Sequence, residues 1–153
     1  MKRHGIALFL GLALFASCAK NTVSKIPYIS LVGFAPADSL HANVDTAIIE
    51  FRFTDGDGDI GVDSATSAIF LKDKRFDSVG FVKYPFPFDI DPSIEDPKKG
   101  ITGVAFFMPD PQPVPRDSIH GVIGDTLYYE LYITDRAGHA SNHLITHKII
   151  VKN

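Results

Sequence analysis

Apolar and polar residues alternate with a period of two along much of this chain, and no stretch keeps a helical period long enough to compete. The clearest case is residues 46–54 (TAIIEFRFT), which put Ala47, Ile49, Phe51 and Phe53 on one face and Ile48, Glu50, Arg52 and Thr54 on the other. Residues 126–134 (TLYYELYIT) alternate again, with Leu127, Tyr129, Leu131 and Ile133 on the expected core face. Shorter segments at 28–34, 68–72 and 79–84, a continuous apolar run at 101–108 and a closing segment at 143–152 bring the predicted strands to seven. Eight of the ten prolines fall between Pro85 and Pro115, so extended, non-helical loops should flank the fifth strand. Seven short strands separated by turn signals predict an all-β fold, an immunoglobulin-like β-sandwich over residues 27–153.

The beginning of the chain reads differently. Lys2, Arg3 and His4 precede an apolar run of ten residues, 6–15, which is half of the about 20 that a membrane-spanning helix needs. Ala16 and Ser17 then stand before Cys18, the single cysteine of the chain. Small residues before a lone cysteine resemble a bacterial lipobox, with Phe15 where leucine is commoner. Residues 1–17 are therefore expected to be a lipoprotein signal peptide, and Cys18 the site of lipidation. Residues 18–26 are polar and without periodicity, the pattern of a tether. Acyl chains on Cys18 would hold the protein on a membrane without a helix crossing it.

Composition narrows the function classes. Fifteen aspartates stand against three glutamates, a bias toward turns and hard-cation ligation and away from helices. The formal charge of −3 excludes a basic nucleic-acid footprint, and one cysteine excludes a disulfide framework. Loss of Lys2 and Arg3 with the signal peptide would leave 13 basic against 18 acidic side chains, a charge of −5 that disfavours electrostatic attachment to acidic lipid.

The motif with chemistry is Asp55-Gly56-Asp57-Gly58-Asp59-Ile60-Gly61-Val62-Asp63. Carboxylates at alternating positions repel one another unless a cation sits between them, and the interleaved glycines let the backbone wrap so that they converge. Calcium accepts six to eight oxygens in irregular shells, whereas magnesium keeps its waters. The motif is not an EF-hand, because Ile60 and Thr66 occupy the positions of the required glycine and bidentate glutamate. The expected ligands are Asp55, Asp57 and Asp59 with a carbonyl near Ile60 or Gly61, and Asp63 or Asp135 as further candidates. The competing reading is a solvated Asp/Gly-rich turn. In an immunoglobulin-like sandwich the connection after the second strand and that between the last two strands emerge at one end, which should bring Asp135 to the cluster.

Between the last two predicted strands lies Thr134-Asp135-Arg136-Ala137-Gly138-His139-Ala140-Ser141-Asn142. Asp, His and Ser occur together here, but nothing supplies a nucleophile elbow or an oxyanion hole, so no catalytic residue is assigned. His143 and His147 would stand about 13 Å apart on one side of a strand, too far to share an ion, and read as surface positions. Phe86, Phe88, Phe106 and Phe107 read as core or loop packing rather than as a ligand platform.

The order of lipobox, FTDGDGDIG and a terminal YITDRAGHASN resembles small immunoglobulin-like lipoproteins of Bacteroidetes bacteria over nearly the whole chain. That resemblance implies an envelope-anchored domain and no particular activity. In such bacteria, acidic residues after a lysine near the lipidated cysteine direct export to the surface; Lys20 is followed by Asn21 and Thr22, which implies an outer-membrane anchor facing the periplasm. The expected function is a non-enzymatic, calcium-stabilised module that binds a protein or glycan partner and no nucleic acid. The alternative is a glycan- or ester-processing hydrolase, for which only Asp89, Asp91, Glu95 and Asp96 offer further clustered acids.

Overall fold

The computed structural model describes residues 24–61, 66–76, 78–86, 100–109, 114 and 125–152. Cys18, Asp63, Phe88, Asp89, Asp91, Glu95 and Asp96 lie outside the described residues. Ten strands and no helix occur among those described: β1 (Tyr28–Ala35), β2 (Ser39–His41), β3 (Ile48–Asp55), β4 (Ala68–Asp73), β5 (Val82–Pro85), β6 (Ile101–Phe107), β7 (Asp125–Leu127), β8 (Tyr129–Thr134), β9 (Leu144–Ile145) and β10 (Ile149–Lys152).

Hydrogen bonding orders them as β1-β3-β6, as β2-β10-β7 and as β5-β4-β8-β9. The last two ladders continue one another, because β8–β9 and β7–β10 are stretches of one hairpin displaced by a residue. Leu131 faces Leu144, whereas Leu127 faces Ile149. The displacement sits where the Thr146 hydroxyl accepts from the Tyr129 amide and the Thr146 amide donates to the Tyr129 carbonyl, both at 2.9 Å. β2 runs parallel to β10, and the remaining pairings are antiparallel.

The period-two pattern puts one face of each layer into a single core. Ile49, Phe51 and Phe53 of β3 are buried together with Leu127, Tyr129, Leu131 and Ile133 of β7 and β8. Aromatic edges cross between the layers: Phe34 meets Tyr129 at 5.8 Å and Tyr84 meets Phe107 at 5.1 Å. Each fully buried aliphatic or aromatic side chain here contributes about 1.5–3 kcal/mol over its exposed state. Gly103 of β6 is required by one such ring, since a Cβ there would lie 2.6 Å from Phe53 Cζ.

Seven strands were expected and ten are present among the described residues. The sixth and seventh are each interrupted at the hairpin displacement, and β2 was not anticipated. The fourth begins at Val82 rather than at Val79. Phe86 and Phe107 are core, while Phe106 is 63% exposed. His143 and His147 are exposed; His143 Nδ1 lies 2.7 Å from Glu130 Oε1, and His147 Nε2 lies 3.0 Å from the Ala37 carbonyl.

The registers fix what shares an end. Tyr28 pairs with Thr54, Asp55 with Ile101 and Ala68 with Thr134. The start of β1 therefore meets the exit of β3, and a bond from the Arg136 amide to the Asp59 carbonyl brings the exit of β8 to the same end, while β10 finishes beside the start of β7, with Val151 opposite Asp125.

Candidate metal centre

β3 delivers Asp55 as its last residue, on the same face as Phe51 and Phe53, so its carboxyl is carried into the interior. Asp55 is fully buried. The chain then turns back through Gly58, whose φ of 73° favours glycine, and Ile60 plugs into the core with no exposed surface. Gly100 supports the turn from below: a Cβ on it would stand 2.4 Å from the Asp55 carbonyl oxygen and 2.8 Å from Gly56 Cα. β8 delivers Asp135, equally buried, at the mouth of the second loop. One carboxylate oxygen from each of Asp55, Asp57, Asp59 and Asp135 lies within 4.8 Å of the other three.

The other oxygens of the first loop's aspartates are held by donors. Asp55 Oδ2 accepts the Asp59 amide at 2.9 Å, Asp59 Oδ2 accepts the Ala137 amide at 3.0 Å, and Asp57 Oδ2 lies 3.5 Å from Lys25 Nζ. Oδ1 of Asp55, of Asp57 and of Asp59 is shielded from solvent and has no hydrogen-bond partner. Three carboxylates thus turn one oxygen outward to a donor and one inward to nothing. A buried acceptor left so costs about 1–3 kcal/mol, and more when charged, a cost that a cation among the inward oxygens could offset.

Asp135 is held differently. Its Oδ1 accepts the His139 amide at 2.7 Å, and its Oδ2 lies 2.7 Å from His139 Nδ1. A histidine bonded to a ligating carboxylate fixes that carboxylate's orientation. The two loops are also sewn to each other. The Asp59 carbonyl accepts from the Arg136 amide at 3.1 Å and from Arg136 Nε at 2.9 Å. Thr66 Oγ1 donates to the Arg136 carbonyl at 2.8 Å, and Thr134 Oγ1 donates to the Thr66 carbonyl.

No family model matches this sequence, and neither a curated protein nor a solved structure matches it. What the site can do is therefore read from its own chemistry.

Burial, together with neighbouring Asp57, Asp59 and Asp135, pushes the Asp55 carboxyl up to about 7. Burial and then Asp135 and Asp57 raise that of Asp59. The hydrogen bond and charge of Asp135 raise the His139 imidazole. Each shift records negative charge gathered where water does not screen it. A group of four carboxylates of this kind could hold a metal ion. Two oxygens on opposite sides of a calcium ion stand about 4.6–5.2 Å apart, which suits the spread observed.

The expected neighbours Asp55, Asp57, Asp59 and Asp135 do meet, across 80 positions of sequence between first and last. The sequence reading missed His139 as the group that holds Asp135, Arg136 as the brace on the first loop, and Ile60 as its anchor. A signal existed for the first of these: histidine four residues after the aspartate, with Gly138 at φ 88° to turn the chain back between them. The Asp59 carbonyl is already occupied by Arg136, so any main-chain ligand has to come from elsewhere in the loop.

Proposed function

We propose that this chain is a non-enzymatic cell-envelope lipoprotein, an immunoglobulin-like module stiffened by one calcium ion, that binds a protein or glycan partner. The observation that carries the metal reading is the set of three buried, unpartnered oxygens facing Asp135. Shielding of those oxygens from solvent favours a structural ion over one that recruits a ligand. Calcium fits better than magnesium because the donors are four carboxylates fixed by the protein on two loops, and magnesium rarely accepts such a cage. Two layers around one core, with β2 parallel to β10, support the immunoglobulin-like reading. Resemblance to Bacteroidetes lipoproteins supports the envelope, with an outer-membrane anchor facing the periplasm. No helix among the described residues is long and apolar enough to cross a membrane.

The anchor is tested at Cys18. Cys18→Ser should abolish labelling by palmitate and move the protein from the membrane fraction to the soluble one. Retention of the variant in the envelope pellet would assign anchoring to something other than the thiol.

One observation favours a hydrolytic alternative: Asp135 and His139 form the acid–base pair that a triad would use. Ser141 does not complete it, since its Oγ accepts the Ile133 amide at 3.0 Å and donates to the Asn142 carbonyl at 2.8 Å. A screen of chromogenic glycosides and esters should accordingly show no turnover above background. Robust turnover abolished by His139→Ala would replace the binding-module reading with the enzymatic one.

A further inference from the structure

Both loops that supply carboxylates also grip the segment by which the chain enters the domain. Gly56, which stands between Asp55 and Asp57, donates its amide to the Ser24 carbonyl at 2.8 Å. Asp57 faces Lys25. From the other side, Asn142 at the far end of the second loop clasps the main chain of Ile29: its Oδ1 accepts the Ile29 amide at 2.8 Å and its Nδ2 donates to the Ile29 carbonyl at 2.9 Å. Between these grips the chain changes from exposed to buried, with Ile26 54% exposed and Pro27 buried.

We propose that the cation at Asp55, Asp57, Asp59 and Asp135 is a clamp on the chain entry, fixing how the domain stands on the segment that precedes it. This inference rests on the metal reading above and adds what the ion does. The Gly56 amide has a ligand on either side, so drawing Asp55 and Asp57 onto one ion sets the direction of that N–H. Without the ion, repulsion among the carboxylates spreads the loop, and the bond to Ser24 is the first contact to turn away. The entry is then held only from Tyr28 and Ile29 onward, by the pairing of β1 with β3 and by the Asn142 clasp, the latter five residues beyond Ser24. Lys25 contributes little of the grip, being 74% exposed, but its peptide bond reports the state of the clamp. A protease must take several residues on each side of a bond in extended form, so cutting after Lys25 requires local opening of the entry segment.

The test is limited trypsin digestion of the full-length chain in detergent, with calcium and with chelator, following two products by mass. One is cut at Lys25–Ile26, and the other at Lys83–Tyr84 in β5, which reports opening elsewhere. A thermal melt is recorded on the same samples. Calcium should raise the melt and slow the cut at Lys25 at least tenfold more than the cut at Lys83, and both effects should vanish in Asp57→Asn. A raised melt with the Lys25 cut slowed no more than the Lys83 cut would overturn the clamp while leaving the ion in place. An unchanged melt would remove the ion itself, and the clamp with it.

Discussion

Thermal unfolding at calcium a hundredfold above its dissociation constant should lie about 10 °C above the same melt in chelator, and Asp135→Asn should remove that shift as fully as Asp57→Asn. The size follows from mass action: an ion that binds only the folded chain adds about 2.7 kcal/mol at that concentration, and a domain of this size moves about 4 °C per kcal/mol. The equivalence of the two variants follows from the geometry. Asp57 belongs to the loop after β3 and Asp135 to the loop after β8, yet their oxygens share one cluster. Asparagine keeps the shape of either side chain and withdraws a charge from the ion. Magnesium at the same concentration should give a smaller shift, because it gives up its waters reluctantly. No calcium shift in the wild type would reduce DGDGDIG to a turn. A shift lost in Asp57→Asn and kept in Asp135→Asn would leave an ion held by one loop alone.

Much of this site was readable in the sequence because two simple periods coincide. Strict alternation through β3 fixes which face carries Phe51 and Phe53, and Asp55 continues the same parity inward. The spacing of the aspartates at 55, 57 and 59 let them be read as one group that could hold a cation, and Asp135, expected beside them, does join that cluster. What alternation cannot show is where a strand stops pairing. TLYYELYIT alternates through Tyr128 without a break, and the interruption comes from the Thr146 hydroxyl on the neighbouring strand. β2 is invisible for another reason, since three residues with one buried side chain, Leu40, carry no period. Val79 and Phe81 looked like the start of a strand, but Val79 closes a turn by donating its amide to the Phe76 carbonyl and Phe81 lies unpaired just before β5; they are 52% and 36% exposed. Of the supports of the site, Arg136 and Asn142 bond main-chain atoms 77 and 113 positions away, which composition does not encode, whereas His139 holds an aspartate only four residues before it.

Without its ion the protein should lose stability as pH rises from 4 to 7, by about 3 kcal/mol, and calcium should abolish that loss. Four carboxylates within 4.8 Å of one another cannot all ionise in a dry site, so the chelated protein keeps a proton there. Asp55 is the group that keeps it, its carboxyl raised from 3.8 to about 7 by burial and by Asp57. The unfolded chain releases that proton near pH 4 and the folded chain releases it near 7. Between those values the folded state binds more protons, so raising the pH favours unfolding at about 1.36 kcal/mol per unit. Asp59, also raised, acts in the same direction, and His139, raised from an ordinary value of 6.5, adds to the loss only above that pH. Calcium takes the place of the retained proton, and acid then weakens the loaded protein by competing for the same oxygens. Urea midpoints recorded at intervals from pH 4 to 8 should therefore nearly coincide at the acid end and separate steadily toward neutrality, falling in chelator and holding or rising in calcium. Asp55→Asn should flatten the chelator curve, stand above the wild type in chelator at pH 7, and show no response to calcium. A chelator curve that is flat or rises through this range would mean that the carboxylates are already neutralised by groups of the protein, and would remove the electrostatic case for an ion.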